Sequence, residues 1–143
     1  MHVTAILREK GRAVACTSPT GKIMDVARLL SAKRIGAVVV TGSDGTVIGI
    51  ISERDIIRVI GQHGIEALEW PTGEVMTRRV VTCRESDTVG HLMQLMTERR
   101  IRHLPVVENG RLVGIISIGD VVKHRVAEVE HEAIAMRDYI AHH

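Results

Sequence analysis

GIISERD, residues 49–55, is followed later in the same chain by GIISIGD, residues 114–120. Four consecutive letters recur, two positions differ, and the same aspartate closes both phrases. A phrase repeated in this way indicates a duplicated structural unit, because internal repeats usually mark one supersecondary unit used more than once. The fold is therefore best predicted by aligning the two copies.

The two copies align over most of the chain. With Val14 set against Val80, the register holds through the following helix and strand, and one residue is lost where TGSDG (41–45) faces VENG (107–110). Each copy then reads as strand, helix, two strands and a second helix. We predict fold class α/β (α+β), with two β-α-β-β-α repeats related by a pseudo-twofold axis.

The spacing of apolar residues supports this order. The first helix of each copy has apolar residues at i, i+3, i+4 and i+7, which is one buried stripe: Ile23, Val26, Ala27 and Leu30, and then Val89, Leu92, Met93 and Met96. Strands are predicted over 14–16, 37–40 and 47–51, and over 80–82, 104–107 and 112–116. Asn109-Gly110 suits a two-residue hairpin turn, since both residues tolerate positive φ.

The repeats define the domain boundaries. We assign residues 1–60 to the first repeat, 61–73 to a linker, 74–125 to the second repeat and 126–143 to a helical extension. The linker contains glycine and proline, but its apolar residues predict that it packs on the domain. His142 and His143 end the sequence, either as native or as added residues.

The composition narrows the range of functions that the protein could have. The 143 residues include no Phe, one Trp and one Tyr, so the core is expected to be aliphatic. The formal net charge is +2 with interleaved signs, which gives no basic stripe for nucleic acid. Neither a signal peptide nor an apolar run of ~20 residues is present, so we expect a soluble, cytoplasmic protein without a membrane partner. Cys16 and Cys83 are expected to be buried and structural.

The repeated phrase also predicts a chemistry. Gly49 lets a backbone or a ligand approach the strand closely. Ser52 sits at a helix N-cap, where free N–H groups favour an anion such as phosphate. Asp55, one turn later, can accept two hydrogen bonds from a vicinal diol, and the second copy repeats all three positions. The alternative is ordinary helix-start chemistry, in which a serine cap and an early acidic residue only stabilise the helix.

These phrases, with IRHLPVVENGRLVGIIS (101–117), resemble the CBS domain, the module named after cystathionine β-synthase. The resemblance covers about residues 3–125 and includes the element order and the pairing of two copies. It implies a Bateman module, a disc-like pair of repeats whose two clefts bind adenosine-containing ligands. AMP, ATP, NAD and S-adenosylmethionine are the expected ligand types, and no cofactor or metal is required.

The resemblance also implies which residues line each cleft. The first, the Asp55 cleft, would combine residues of both repeats: Ser52, Arg54 and Asp55 with Ser86, Asp87, Arg102, His103 and Leu104. The second, the Asp120 cleft, would reverse that combination: Ser117, Gly119 and Asp120 with Thr20, Gly36, Ala37 and Val38. Because the Asp55 cleft gains two arginines and a histidine, we expect it to bind phosphate groups better.

The last helix extends beyond the second repeat. Its apolar residues alternate spacings of four and three, which is a coiled-coil pattern: Val122, Val126, Val129, Ala133, Met136 and Ile140. Arg125, Glu128, Glu130 and Arg137 flank this seam. The seam could pack on its own domain or on a second copy, and we expect the second, a homodimer.

The sequence therefore predicts a non-catalytic regulatory module. It would bind an adenine nucleotide between its repeats and signal to a partner protein whose identity the sequence does not give. The alternative is a structural dimerisation or adaptor module whose clefts remain empty. An enzyme is disfavoured, because no nucleophile–base pair, zinc motif or cofactor loop is evident in the sequence.

Overall fold

The first repeat is built around a three-stranded sheet. In the computed structural model, which describes residues 1–142, its elements are β1 (Cys16–Thr17), α2 (Ile23–Lys33), β2 (Ala37–Thr41), β3 (Val47–Ser52) and α3 (Glu53–His63). β1 pairs with β2 in parallel, and β2 pairs with β3 antiparallel. Residues 38–40 of β2 are fully buried, as expected for the middle strand of a covered sheet.

The second repeat has the same order with a shorter sheet. Its elements are α4 (Val89–Arg99), β4 (His103–Glu108), β5 (Arg111–Ser117) and α5 (Ile118–Ala141). β4 and β5 form an antiparallel hairpin. The strand predicted at 80–82 is reduced to one parallel bridge between Cys83 and Val106. The two-repeat α/β architecture predicted from the sequence is confirmed.

The duplication extends to unusual backbone positions. Arg34 ends α2 and Arg100 ends α4, each in the left-handed conformation, with φ of 53° and 54°. In the hairpin of the second repeat, Asn109 and Gly110 also have positive φ, of 51° and 75°. The two-residue turn predicted there is therefore present, because a turn of this kind needs positive φ at both central residues.

The segment before the first repeat packs against the second. α1 (Val3–Lys10) buries Val3, Ile6 and Leu7 in the aliphatic core formed by α4, β4 and β5. The N–H of Val3 donates to the C=O of Asp87 over 2.9 Å, which fixes the start of α1 to the second repeat. The chain therefore completes the core of one repeat with residues that precede the other.

The segment before the second repeat packs, in turn, against the first repeat. Met76 is buried in the core of the first repeat, among Ile23, Val38 and Ile51. Thr77 and Ile50 exchange backbone hydrogen bonds of 2.8 and 3.0 Å, so this segment also extends the first sheet. The two repeats thus exchange their leading segments.

This exchange explains the glycine of the repeated phrase. A Cβ on Gly49 would overlap the sulfur of Met76, and a Cβ on Gly114 would lie 2.6 Å from Cδ2 of Leu7. Both separations are well below van der Waals contact. The glycines are therefore needed because the exchanged segments approach them closely. The sequence predicted a close approach by either a backbone or a ligand.

The linker packs on the first repeat, as predicted. Residues 65–69 form a 3-10 helix in which Ala67 is fully buried. The Trp70 ring lies 4.9 Å from the ring of His63, centroid to centroid, at the end of α3. Ile65 is an exception to the packing, since it is 77% exposed. The question of a native His143 lies outside the described residues.

We predict that Gly114→Ala destabilises the protein, because the new methyl group forces Leu7 out of a packed core. Overpacking of this kind costs about 1–3 kcal/mol of the free energy of unfolding. Gly90→Ala in the same repeat is the control, since nothing lies within 4 Å of its Cβ position. Urea denaturation should place Gly114→Ala well below wild type and Gly90→Ala at or above it. Equal stability of the two variants would contradict the packing argument.

Candidate functional site

Both repeats begin their last helix with the same reciprocal cap. Asp55 N–H donates to Ser52 Oγ over 3.3 Å, and Ser52 N–H donates to Asp55 Oδ2 over 2.9 Å. Ser117 and Asp120 repeat these bonds at 3.2 and 2.9 Å. Each pair is a capping box, so the helix-start alternative is realised in both copies. This role commits one oxygen of each carboxylate and leaves open what the other binds.

The Asp55 cleft is a cavity of about 300 Å³ between the two repeats. Five of its predicted residues line it together: Ser52, Arg54, Asp55, Arg102 and His103. Three further arginines line the same cavity: Arg58, Arg79 and Arg100. The lining therefore carries five guanidinium groups against the carboxylates of Glu53 and Asp55, which is a strongly anion-attracting environment.

The Asp120 cleft is a cavity of about 350 Å³ at the equivalent position. Three of its predicted residues line it: Ser117, Gly36 and Ala37. Its positive charge comes from Lys10, Lys33 and Arg34. This is fewer basic groups than in the Asp55 cleft, but more than the sequence comparison anticipated. Gly36 and His103 line both cavities, so the two clefts are neighbours.

A cation contacts the aspartate of each capping box. Arg58, one turn further along α3, donates to Oδ1 of Asp55. Lys10, at the end of α1, donates to Oδ2 of Asp120 over 2.7 Å and to the C=O of Ile115 over 2.9 Å. The first contact is made within one helix, whereas the second joins two separate elements.

The environment of Asp120 favours its ionised form. Partial burial acts to raise the pKa of this carboxyl, but the hydrogen bonds from Lys10 and Ser117 outweigh burial. Its pKa therefore lies below the ordinary value. Lys10 and Ser117 both contact Oδ2 of this carboxylate, so their hydrogen bonds do not use Oδ1.

Seven of the predicted site residues line neither cavity. One is Asp120 itself, although its hydrogen-bond partners Ser117 and Lys10 do line the second cavity. Leu104 and Val38 are fully buried in the cores. Asp87 accepts from the N–H of Arg84 over 2.7 Å, and Ser86 lies beside it, in the turn that receives α1. The remaining two, Thr20 and Gly119, are exposed, and Thr20 hydrogen-bonds Ser18. None of the seven lines either cavity.

Several basic residues that line the clefts were not predicted from the sequence. Arg34 and Arg100 occupy equivalent helix ends, and their alignment was a signal that could have been followed. Lys10 lies three residues after Leu7, and Arg79 lies three residues after Met76; Leu7 and Met76 are the residues that the exchanged segments bury against a glycine. No local pattern marks them, because the exchange of segments between repeats places them at the clefts.

His103 is held mainly in its neutral form. Burial is the main effect and lowers the pKa of its imidazole. Glu53 raises this pKa by a smaller amount, and Lys10 lowers it further. The ring also lies against Gly36, where a Cβ would come within 3.0 Å of its Cε1 and Nε2. His103 can therefore act as a hydrogen-bonding and packing group, while the arginines provide the positive charge.

The remaining candidate groups lie apart from the clefts. Among residues 1–142, no cluster of three or more His, Cys, Asp or Glu side chains could hold a metal ion. Cys83 is buried, and burial raises the pKa of its thiol to about 12. Cys16 is exposed, so the expectation that both cysteines are buried is wrong for this residue, which lies on the two-residue edge strand β1.

None of the helices over residues 1–142 combines the length and the apolar character that crossing a membrane requires. A further cavity, of about 460 Å³, lies on the outer side of α2 and α3 and is lined partly by Ala27, Leu30 and Ile57. It contains neither serine of the repeated phrase. The two clefts between the repeats therefore remain the candidate site.

We predict that protonation of His103 weakens the fold. Because its pKa is lowered on folding, the stability that neutral His103 provides is present above the unfolded value, about 6.5. That stability is lost as the pH falls through this value towards the folded pKa. Between pH 7.5 and 5.5, the free energy of unfolding should fall more for wild type than for His103→Gln. His131→Gln, on the exposed part of α5, should keep the wild-type pH dependence; a flat wild-type profile would contradict the prediction.

The chain is similar to known proteins in both sequence and structure. A family model described as CBS domain matches residues 11–62 and 73–127. CBS domain-containing protein CBSX3, mitochondrial, from Arabidopsis thaliana is 32% identical over 96% of this chain and 71% of its own length. The crystal structure of a CBS-domain containing protein from Agrobacterium tumefaciens is 48% identical and superposes with a TM-score of 0.84, covering 87% of this chain and 92% of that chain.

Two other similar structures contain ligands. The CBS domain pair of protein MJ0100, in complex with 5′-methylthioadenosine and S-adenosyl-L-methionine, is 26% identical with a TM-score of 0.80, over 90% of this chain and 98% of that chain. A CBS domain protein from Pyrobaculum aerophilum, complexed with AMP, is 31% identical with a TM-score of 0.75, over 84% and 89%. The ligands of these two proteins all contain adenosine.

Proposed function

The chain belongs to the CBS domain family, and we propose that it is a non-catalytic regulatory module that binds an adenine nucleotide in the Asp55 cleft. One observation supports this above all: arginines from both repeats converge on a cavity that also holds the Ser52–Asp55 helix start. AMP, ATP and NAD combine phosphate with a ribose diol, and the cleft offers a partner for each. The adenosine-containing ligands of two similar proteins support the same class.

The charges favour a phosphorylated ligand in this cleft. Guanidinium groups bind phosphate oxygens through paired, charge-assisted hydrogen bonds. Arg102 and Arg54 are both exposed at the cleft and come from different repeats. A phosphate bound between them would join the repeats, so that binding is coupled to how closely the repeats approach each other.

The ribose partner we infer is Asp55. Its side chain is buried, and its Oδ1 is held by the largely exposed Arg58. Because the Arg58 side chain is largely exposed, it can turn towards water and give up Oδ1 to a diol. Ser52 and Asp55 would keep their capping box, because that box uses Oδ2.

We also infer that the module is cytoplasmic, works as a homodimer and regulates a separate protein, with neither nucleic acid nor a membrane as partner. The exposed apolar side of α5 supports association of two copies. The second candidate function is a ligand-free adaptor. It is favoured by the ion pairs that both aspartates already form within the protein, Asp55 with Arg58 and Asp120 with Lys10.

Thermal shift and calorimetry with AMP, ATP, NAD and S-adenosylmethionine test the proposal directly. Saturable binding of any one of them, at about one molecule per chain, supports the regulatory module. Binding of none supports the adaptor. Turnover of any ligand, followed by chromatography of the mixture, would contradict the non-catalytic assignment.

We predict that Asp55→Ala weakens nucleotide binding by roughly ten- to several-hundred-fold, because hydrogen bonds to a charged acceptor are worth about 1.5–3 kcal/mol each. Asp120→Ala is a matched control, since it removes an equivalent capping box from α5. Any loss of affinity caused only by a weaker helix start should then appear in both variants. Calorimetric titration that shows the larger loss in Asp120→Ala would assign the ligand to the other cleft.

We predict that Arg102→Ala weakens AMP binding more than adenosine binding, because only AMP presents a phosphate to the guanidinium group. Arg111→Ala removes the same charge at the far end of β5 and should leave the ratio of the two affinities unchanged. The measurement is the ratio of dissociation constants for AMP and adenosine in each variant. An unchanged ratio in Arg102→Ala would place the phosphate elsewhere.

A further inference from the structure

The C-terminal helix α5 carries an apolar stripe that its own domain leaves exposed. Five of the six seam residues are between 45% and 66% exposed: Val122, Val126, Val129, Met136 and Ile140. The sixth, Ala133, is also exposed. An apolar stripe with this repeat is the surface that a second helix covers in a coiled coil.

A different side of the same helix is used by the domain. Val121 is fully buried and His124 is 8% exposed. Arg125 and Glu128 form an ion pair beside them, with 2.6 Å between Nη1 and Oε1, and Glu128 also contacts the amino terminus. From Val129 to the end of the helix every side chain is exposed. Packing on the domain therefore holds the first turns of α5 without covering the seam.

We propose that two copies pair through residues 122–140 of α5 as a parallel, in-register coiled coil. This rests on the homodimer proposed above and adds its surface, orientation and register. The seam spans about 27 Å at a rise of ~1.5 Å per residue. The occupant of the stripe is thus the identical stripe of a second chain.

The flanking charges determine the orientation. In a parallel pair, the residue before each a position faces the residue five places later on the partner helix, and opposite charges there stabilise the pair. Arg125 then faces the partner's Glu130, and Glu132 faces the partner's Arg137. Each contact occurs twice by symmetry, so that four ion pairs border the seam.

The antiparallel arrangement places like charges together. If the same six seam residues are kept in contact, residue 122 lies opposite residue 140 of the other chain. Glu130 would then face the partner's Glu130, and Glu132 would face the partner's Glu132. Lys123 would also lie near the partner's Arg137. Like charges at flanking positions destabilise a coiled coil, so the charges select the parallel form.

A charge exchange at one ion pair tests the flanking contacts. Sedimentation equilibrium should show that Glu132→Arg raises the dimer dissociation constant about tenfold, since it creates two repulsions facing Arg137. Adding Arg137→Glu should restore the wild-type value. Asp138→Arg changes an acidic residue to arginine outside the seam and should have little effect. Failure of the double variant to recover would overturn the proposed pairing.

Cross-linking tests orientation independently. In a Cys16→Ser background, which removes the exposed native thiol, Ile140→Cys chains should form a disulfide-linked dimer under mild oxidation. Chains with Val122→Cys mixed with Ile140→Cys chains should give no mixed dimer. The opposite result would establish the antiparallel form and overturn this proposal while keeping the homodimer. A wild-type monomer at all concentrations would overturn both, and circular dichroism confirms that each variant is folded.

Discussion

The structure depends on one packing constraint, the exchange of the leading segments between the two repeats. Leu7 fills the space above Gly114 in the second core, and Met76 fills the space above Gly49 in the first. Neither sheet has a complete apolar cover without the segment attached to the other repeat. The repeats are therefore bound into one folding unit, although each has its own hydrophobic core.

The same exchange builds the clefts. Lys10 is the last residue of α1, and Arg79 follows the Met76 segment, so each exchanged segment delivers a basic residue to a cleft. Residues that are distant in the chain then meet at one cavity: Ser52 from the first repeat and Arg102 from the second. A ligand bound there contacts both repeats, and it can shift their relative arrangement only through its differential affinity for the alternatives.

The sequence correctly predicted those features that depend on the spacing of residues within one repeat. Helix stripes, the Asn109-Gly110 turn and the capping boxes depend on local spacing, so they were predictable from one copy and strengthened by the second. The contact between Lys10 and Asp120, in contrast, depends on which repeat α1 packs against, and no local pattern encodes that choice. Ser86 was assigned to a cleft by resemblance, whereas the structure places it in the turn where α1 docks.

The two aspartates have the same cap, but their cations contact different carboxylate oxygens. Arg58 lies three residues after Asp55 on the same helix and is largely exposed, so a ligand can displace it by moving one side chain. Lys10 reaches Asp120 from α1 and is also bonded to the C=O of Ile115. Both Lys10 and the helix cap use Oδ2 of Asp120, so neither contact occupies Oδ1. The preference for the Asp55 cleft therefore comes from the charge of its lining, which has five guanidinium groups against two lysines and one arginine in the other cleft.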